Sequence, residues 1–250
     1  MERLNKDELF SIAIQLDFKS LINLCMINKR IYQKIYENDS IWFAKLHHDF
    51  PNYEELELEI NIVEIYKLIY FLQNNCNTRR FLEMYKNKVL DLSHNKLKHI
   101  PKEITILKKI ESFYLSNNKI TEIPDLSDLS NLQRINLYNN RLKILPKEIG
   151  NLINLEELDL SNNLLEEIPK EIGNLSNLKE LFLQHNLLKE IPQEIGKLSN
   201  LHRLFLNGNK LKTIPKEIGS ILKFKVLYIR NESMLLPKEI TSNKNIQIII

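Results

Sequence analysis

The residues of this 250-residue chain that could do chemistry are few, and their spacing suits none of the usual reactions. Its two cysteines, Cys25 and Cys76, have no spacing partner and read as reduced structural thiols, not as a redox pair or a metal clamp. His94 and His185 fall at one position of a repeating pattern but about four repeats apart, too far to share a metal ion. Acid pairs such as Glu166-Glu167 recur with the same period, as a solvated surface would. The five glycines make no phosphate-cradling loop, and neither a Ser–His–Asp nor a Cys–His–Asp arrangement is suggested. The expectation is therefore a protein that is no enzyme, with no cofactor and no metal. A net charge of +3, without a basic run interleaved with aromatics, argues against nucleic acid. The most apolar run, residues 60–72, carries Asn61, Glu64 and Lys67 and is too short for a bilayer, so no membrane is expected. The charged N-terminus MERLNKDELF lacks the apolar core of a secretion signal, which points to a cytoplasmic protein.

What remains is binding, and the elements that would position a binding surface are repeats. Copies begin at Asn87, Ile110, Leu132, Leu155, Leu178, Leu201 and Phe224, with a period of 23 residues; the copies from Ile110 and Phe224 are one residue short. A stub, residues 246–250, follows. In each copy an LxL core such as Leu158 and Leu160 predicts a short strand with alternate residues turned inward. Asn95, Asn118, Asn140, Asn163, Asn186 and Asn209 recur where the chain leaves the strand and should satisfy backbone groups there. Pro101, Pro146, Pro169, Pro192, Pro215 and Pro237 fix φ where a short helix or turn begins, and Gly150, Gly173, Gly196 and Gly219 suit a tight path behind it. One copy cannot bury its leucines alone, whereas stacked copies form a continuous core. The pattern LxxLxLxxNxLxxIPxxIGxL, about seven times in register, resembles leucine-rich repeats. That resemblance implies an α/β fold, a right-handed horseshoe solenoid with one parallel strand per copy. The last copy has Glu232 at the Asn position and reads as a C-terminal cap, with the stub covering the final strand edge.

Side chains between the core leucines point onto the concave face. Its central column is Asp91, Tyr114, Asn136, Asp159, Phe182, Phe205 and Tyr228. The column before it runs Val89, Ser112, Arg134, Glu157, Glu180, Arg203 and Val226, and the column after it Ser93, Ser116, Tyr138, Ser161, Gln184, Asn207 and Arg230. Phe182, Phe205 and Tyr228 are expected to form an exposed aromatic ridge. Tyr114, Arg134, Tyr138, Glu157, Glu180, Phe182, Arg203, Phe205, Tyr228 and Arg230 are the candidate contacts for a target protein.

Residues 1–50 read as short amphipathic helices, and 51–86 as a helical linker and cap leading to the repeats at 87–250. In the head, Leu4, Leu9, Ile12, Leu16-Asp17, Leu21, Leu24, Ile27, Lys29-Arg30 and Ile41-Trp42 fall in register with the F-box pattern. Asn5 stands where that pattern has Pro, and Ile31 where it has Trp. The resemblance, shared with F-box and repeat proteins of eukaryotes and of giant DNA viruses, implies an all-α domain that docks on a Skp-type adaptor of a cullin ubiquitin ligase. Leu4, Leu9, Ile12, Leu16, Leu21, Leu24 and Trp42 would form the adaptor surface while the repeats hold a substrate, in a chain that is a monomer apart from its partners and acts in the host cytoplasm if viral. The other reading is a scaffold or inhibitor whose head only caps the solenoid, since the IPKEIG repeats also resemble Ras-associated leucine-rich-repeat proteins.

Overall fold

The computed structural model describes residues 11–13, 15–16, 20, 39–49, 68, 71–72, 83–230 and 234–249. The chain divides into two compact units, Met1–Leu82 and Glu83–Ile250.

In the first unit, helix α1 (Asp39–Asp49) buries Ile41, Trp42 and Lys45 on one side. The Lys45 ammonium reaches Asp49 one turn later at 2.9 Å, so a cation inside the unit is paired along its own helix. Leu68, Phe71 and Leu72 are helical, and Ala13, Leu68 and Leu72 are buried. Most of the head and of the helical linker read over 51–86 lies outside the described residues.

The second unit is one parallel sheet of eight three-residue strands in chain order: β1 (Val89–Asp91), β2 (Ser112–Tyr114), β3 (Arg134–Asn136), β4 (Glu157–Asp159), β5 (Glu180–Phe182), β6 (Arg203–Phe205), β7 (Val226–Tyr228) and β8 (Gln247–Ile249). The stub at the end of the chain thus supplies an eighth strand, one more than the seven copies counted, and it takes the edge of β7. Val226 faces Gln247, two residues short of a full period.

Five-residue 3-10 helices back the sheet at Lys102–Ile106, Lys147–Asn151, Lys170–Asn174, Gln193–Lys197 and Lys216–Ser220. Each follows a proline whose φ lies between −61° and −67°, a value the ring already imposes. Helix α2 (Lys238–Thr241) follows Pro237 in the same way. The copy containing Pro124 is a residue short and forms no such helix. Between sheet and helices lies the core, with Leu158, Leu181 and Leu204 at 0% exposure in the middle of their strands. The helix-row glycines answer to packing rather than to backbone freedom. A Cβ on Gly150 or Gly173 would lie 2.4 Å from the carbonyl oxygen of the glutamate in the next copy, so only Gly lets the copies approach.

Three polar columns hold the copies in register. In the first, Asn163 donates to the Leu137 and Leu160 carbonyls at 3.0 Å and accepts the Leu142 N–H at 3.0 Å. Asn118, Asn140, Asn186 and Asn209 bridge consecutive copies in the same way. Asn95, the first rung, donates within its own turn to Ser93. The second column is a further asparagine ladder on the turns that precede the strands. Asn131, Asn154, Asn177, Asn200 and Asn243 donate to carbonyls of the previous copy at 2.7–3.0 Å. Lys223 fills that position in the copy from Phe224 and donates to Asn200 instead. In the third column the backbone is left-handed at every step: His94, Asn117, Asn139, Asn162, His185 and Gly208 have φ between 53° and 70°. Asn and Gly are the residues that tolerate this conformation best.

Candidate protein-binding face

The open face of the sheet is built by the residues that alternate with the buried leucines. The register places Asp91, Tyr114, Asn136, Asp159, Phe182, Phe205 and Tyr228 opposite one another strand by strand, and Ile249 continues the column. Along this column the side chains do two different jobs. Asp91, Asn136 and Asp159 each accept the N–H two residues on, at Ser93, Tyr138 and Ser161, and so close the strand exit. Ser161 also donates its hydroxyl to Asp159 and is buried.

On β5, β6 and β7 the same positions hold rings. Phe182 and Phe205 stack with centroids 4.6 Å apart, Phe205 and Tyr228 with centroids 4.4 Å apart, both at 13° between planes. These spacings are those of neighbouring strands, so a ring in each of three successive copies must stack once all share a rotamer. The ridge therefore differs from the expectation of exposed rings: all three are half-buried, because each covers a face of the next. What the ridge offers outward is a row of ring edges.

Charges flank the ridge in an ordered row. Arg134 Nε lies 3.9 Å from Glu157, and Arg203 lies 3.3 Å from Glu180. Glu157 and Glu180 are register partners, so two carboxylates sit side by side between two guanidiniums. Glu157 is held above the usual carboxylate range, first by burial and then by the charge of Glu180, with Asp159 adding to it and Arg134 opposing. Arg230 is exposed past the end of the ring stack. Gln184, in the column after the rings, has a buried side-chain oxygen without a hydrogen-bond partner.

The sheet thus brings Glu157, Glu180, Phe182, Arg203, Phe205, Tyr228 and Arg230 together on β4 to β7. Tyr114, Arg134 and Tyr138 belong to the β2–β3 end, where Tyr138 is 38% exposed. His94 contacts Asn117 at 3.2 Å, and His185 lies where a Cβ on Gly208 would stand, so both serve the turns. Among the described residues no group of His, Cys, Asp and Glu could hold a metal ion, and no helix is long and apolar enough to cross a membrane. In the head, Trp42 is 0% exposed, so it offers no surface for direct contact. Ile12 and Leu16 are half-buried, while Leu4, Leu9, Leu21 and Leu24 lie outside the described residues.

Comparison with known proteins agrees with this architecture. The family model described as a leucine-rich repeat region matches residues 60–184, and one described as two copies of leucine-rich repeats matches 176–231. A probable serine/threonine-protein kinase of Dictyostelium discoideum is 41% identical over 73 residues, which are 28% of this chain and 6% of the kinase. A solved leucine-rich-repeat protein of Leptospira interrogans is 37% identical, with a TM-score of 0.57 over 62% of this chain and 41% of that one. The chain spans well under half the length of either relative. With the repeat model covering half its residues and a parallel strand in every copy, the chain belongs to the leucine-rich-repeat proteins.

Proposed function

We propose that this protein is a non-catalytic interaction module that grips a protein target on the open, concave sheet face between β4 and β7. The observation that carries this reading is the Phe182–Phe205–Tyr228 stack flanked by Arg203, Glu180 and Arg230. Apolar ring area within a charged surround is the composition of an interface centre with its rim. Membership of a repeat family of interaction modules supports it.

The finer reading assigns the head to a Skp-type adaptor and makes the protein a cytoplasmic substrate receptor of a cullin ubiquitin ligase, viral in origin if its F-box resemblance runs that way. Its support is the sequence register from Leu4 to Ile41-Trp42, together with the separation of Met1–Leu82, which contains the head, as a compact unit apart from the repeats. Function then follows from proximity, since tethering a target beside the ligase raises its effective concentration. In this reading Trp42 shapes the head from inside and the other residues form the adaptor surface.

Co-expression of the full chain with a Skp-type adaptor, followed by size exclusion with light scattering, tests the finer reading. A one-to-one complex that Leu21→Asp abolishes while the solenoid stays folded supports it. A chain that elutes alone returns the head to the role of a helical cap. The coarser reading is tested separately: Phe205→Asp should remove target binding with or without an adaptor.

A further inference from the structure

The open face is polarised along the sheet in a way its near-zero net charge conceals. Glu156, Glu157, Asp159 and Glu180 lie at the β4–β5 end, with Lys179 paired to Glu156 at 2.8 Å. On β6 to β8, among the described residues, the face and its leading edge carry His202, Arg203, Lys225 and Arg230 and no acid. Within the Arg134–Glu157–Glu180–Arg203 row each arginine pairs with its acid from the outer side, so neither stands between the two carboxylates. Burial first, and then the charge of the neighbouring Glu180, make Glu157 hold its proton more tightly than an ordinary glutamate. Between the two poles lie the ring edges of the stack. Stacking uses up the ring faces, and aromatic edges are the positive part of the quadrupole, suited to carbonyl oxygens and aliphatic groups.

Resting on the reading of this face as the target site, we propose that its occupant is an extended peptide segment crossing the strands, with a basic, two apolar and an acidic side chain at alternate positions. The basic group lies over Glu157 and Glu180, the apolar groups on the Phe182–Phe205–Tyr228 edges, and the acidic group beside Arg230. Three strand steps separate β4 from β7, or ~14 Å at about 4.8 Å each, and Arg230 stands four residues, ~13 Å, beyond Val226, the register partner of Glu157, so the diagonal is ~19 Å, which about six residues of extended chain span. Alternate residues of such a chain face the same side, so the pattern is Lys/Arg-x-apolar-x-apolar-x-Asp/Glu in either chain direction. An extended chain also presents its carbonyl oxygens to the ring edges, whereas a helix bonds them internally.

Selection of a phage-displayed library of random 12-residue peptides on the immobilised full chain tests this directly. The expected result is enrichment of peptides with a basic and an acidic residue about six apart around apolar ones at alternate positions. Binding of a synthetic copy, read by fluorescence anisotropy, should fall at least tenfold on Phe205→Ala. Selection on Glu157→Gln should lose the preference for the basic residue while keeping the apolar ones. Enriched peptides that depend on Phe205 but show no charge order would overturn this inference and leave the binding face standing. Peptides indifferent to Phe205→Ala, in a variant that circular dichroism shows to be folded, would overturn both. Absence of any enrichment would overturn the peptide assignment.

Discussion

The two halves of the open face share one backbone and use one column of it in opposite ways. From β1 to β4 the column is mostly polar, and Asp91, Asn136 and Asp159 turn back to cap their own strand exits. From β5 to β7 it is aromatic, and Phe182, Phe205 and Tyr228 turn to one another. A capping side chain has met its hydrogen-bonding need within its copy, so that half is finished as a surface. A ring stack hides faces but leaves edges, so the other half still has apolar area to bury. Frame and function separate here: the buried leucines and asparagines set where each side chain stands, and the open column decides what it offers.

The largest effect should come from breaking the frame under both halves. Asn163→Ala strands the Leu137 and Leu160 carbonyls and the Leu142 N–H inside the core and should lower unfolding free energy by about 3 kcal/mol in a urea titration. Gly173→Ala pushes a methyl against the Glu194 carbonyl oxygen and should cost about 2 kcal/mol by the same measurement. Phe205→Ala separates the halves: it loses both ring contacts, about 1–2 kcal/mol of stability, and should weaken target binding by about 2 kcal/mol or more. Asn136→Ala, in the same column on β3, should cost under about 1 kcal/mol and leave target binding unchanged, because the exposed Tyr138 N–H can turn to water.

The smallest effect is one of pH. Glu157 titrates above its ordinary value in the folded chain, so its ionised form opposes folding at neutral pH. That opposition is present above the raised value and fades as pH falls to the ordinary carboxylate range, where folded and unfolded chains are both protonated. Glu157→Gln should therefore stabilise the fold slightly at pH 7, by less than about 1 kcal/mol for a side chain this open to solvent, seen as a small rise in melting temperature that vanishes in mild acid.

Much of the solenoid can be read from the residues alone, because a 23-residue period fixes register. Once Leu158 and Leu160 face inward, Asp159 must face out, and the column from Asp91 to Tyr228 follows by counting. The Asn163 ladder is legible for the same reason. The ring stack is less so: side chains one strand apart can splay outward or lie together, and the shared rotamer that brings the rings to 4.4–4.6 Å is a property of the assembled sheet. Asn131, Asn154, Asn177 and Asn200 stand in plain periodicity, yet their role as a second ladder depends on carbonyls of the copy before. The polarity of the face was equally hidden, since a net charge sums over both poles. In the head no period constrains the register, and a helical spacing at Trp42 does not tell a buried ring from an offered one.

The most direct test of the functional contrast places the photoreactive residue benzoylphenylalanine at Phe205 and, in a second sample, at Tyr114, in the full chain within its producing cell. Illumination followed by mass analysis should give a discrete adduct from Phe205 and none from Tyr114. Equal labelling from both positions, or labelling from Tyr114 alone, would contradict the assignment of binding to the aromatic half of the sheet.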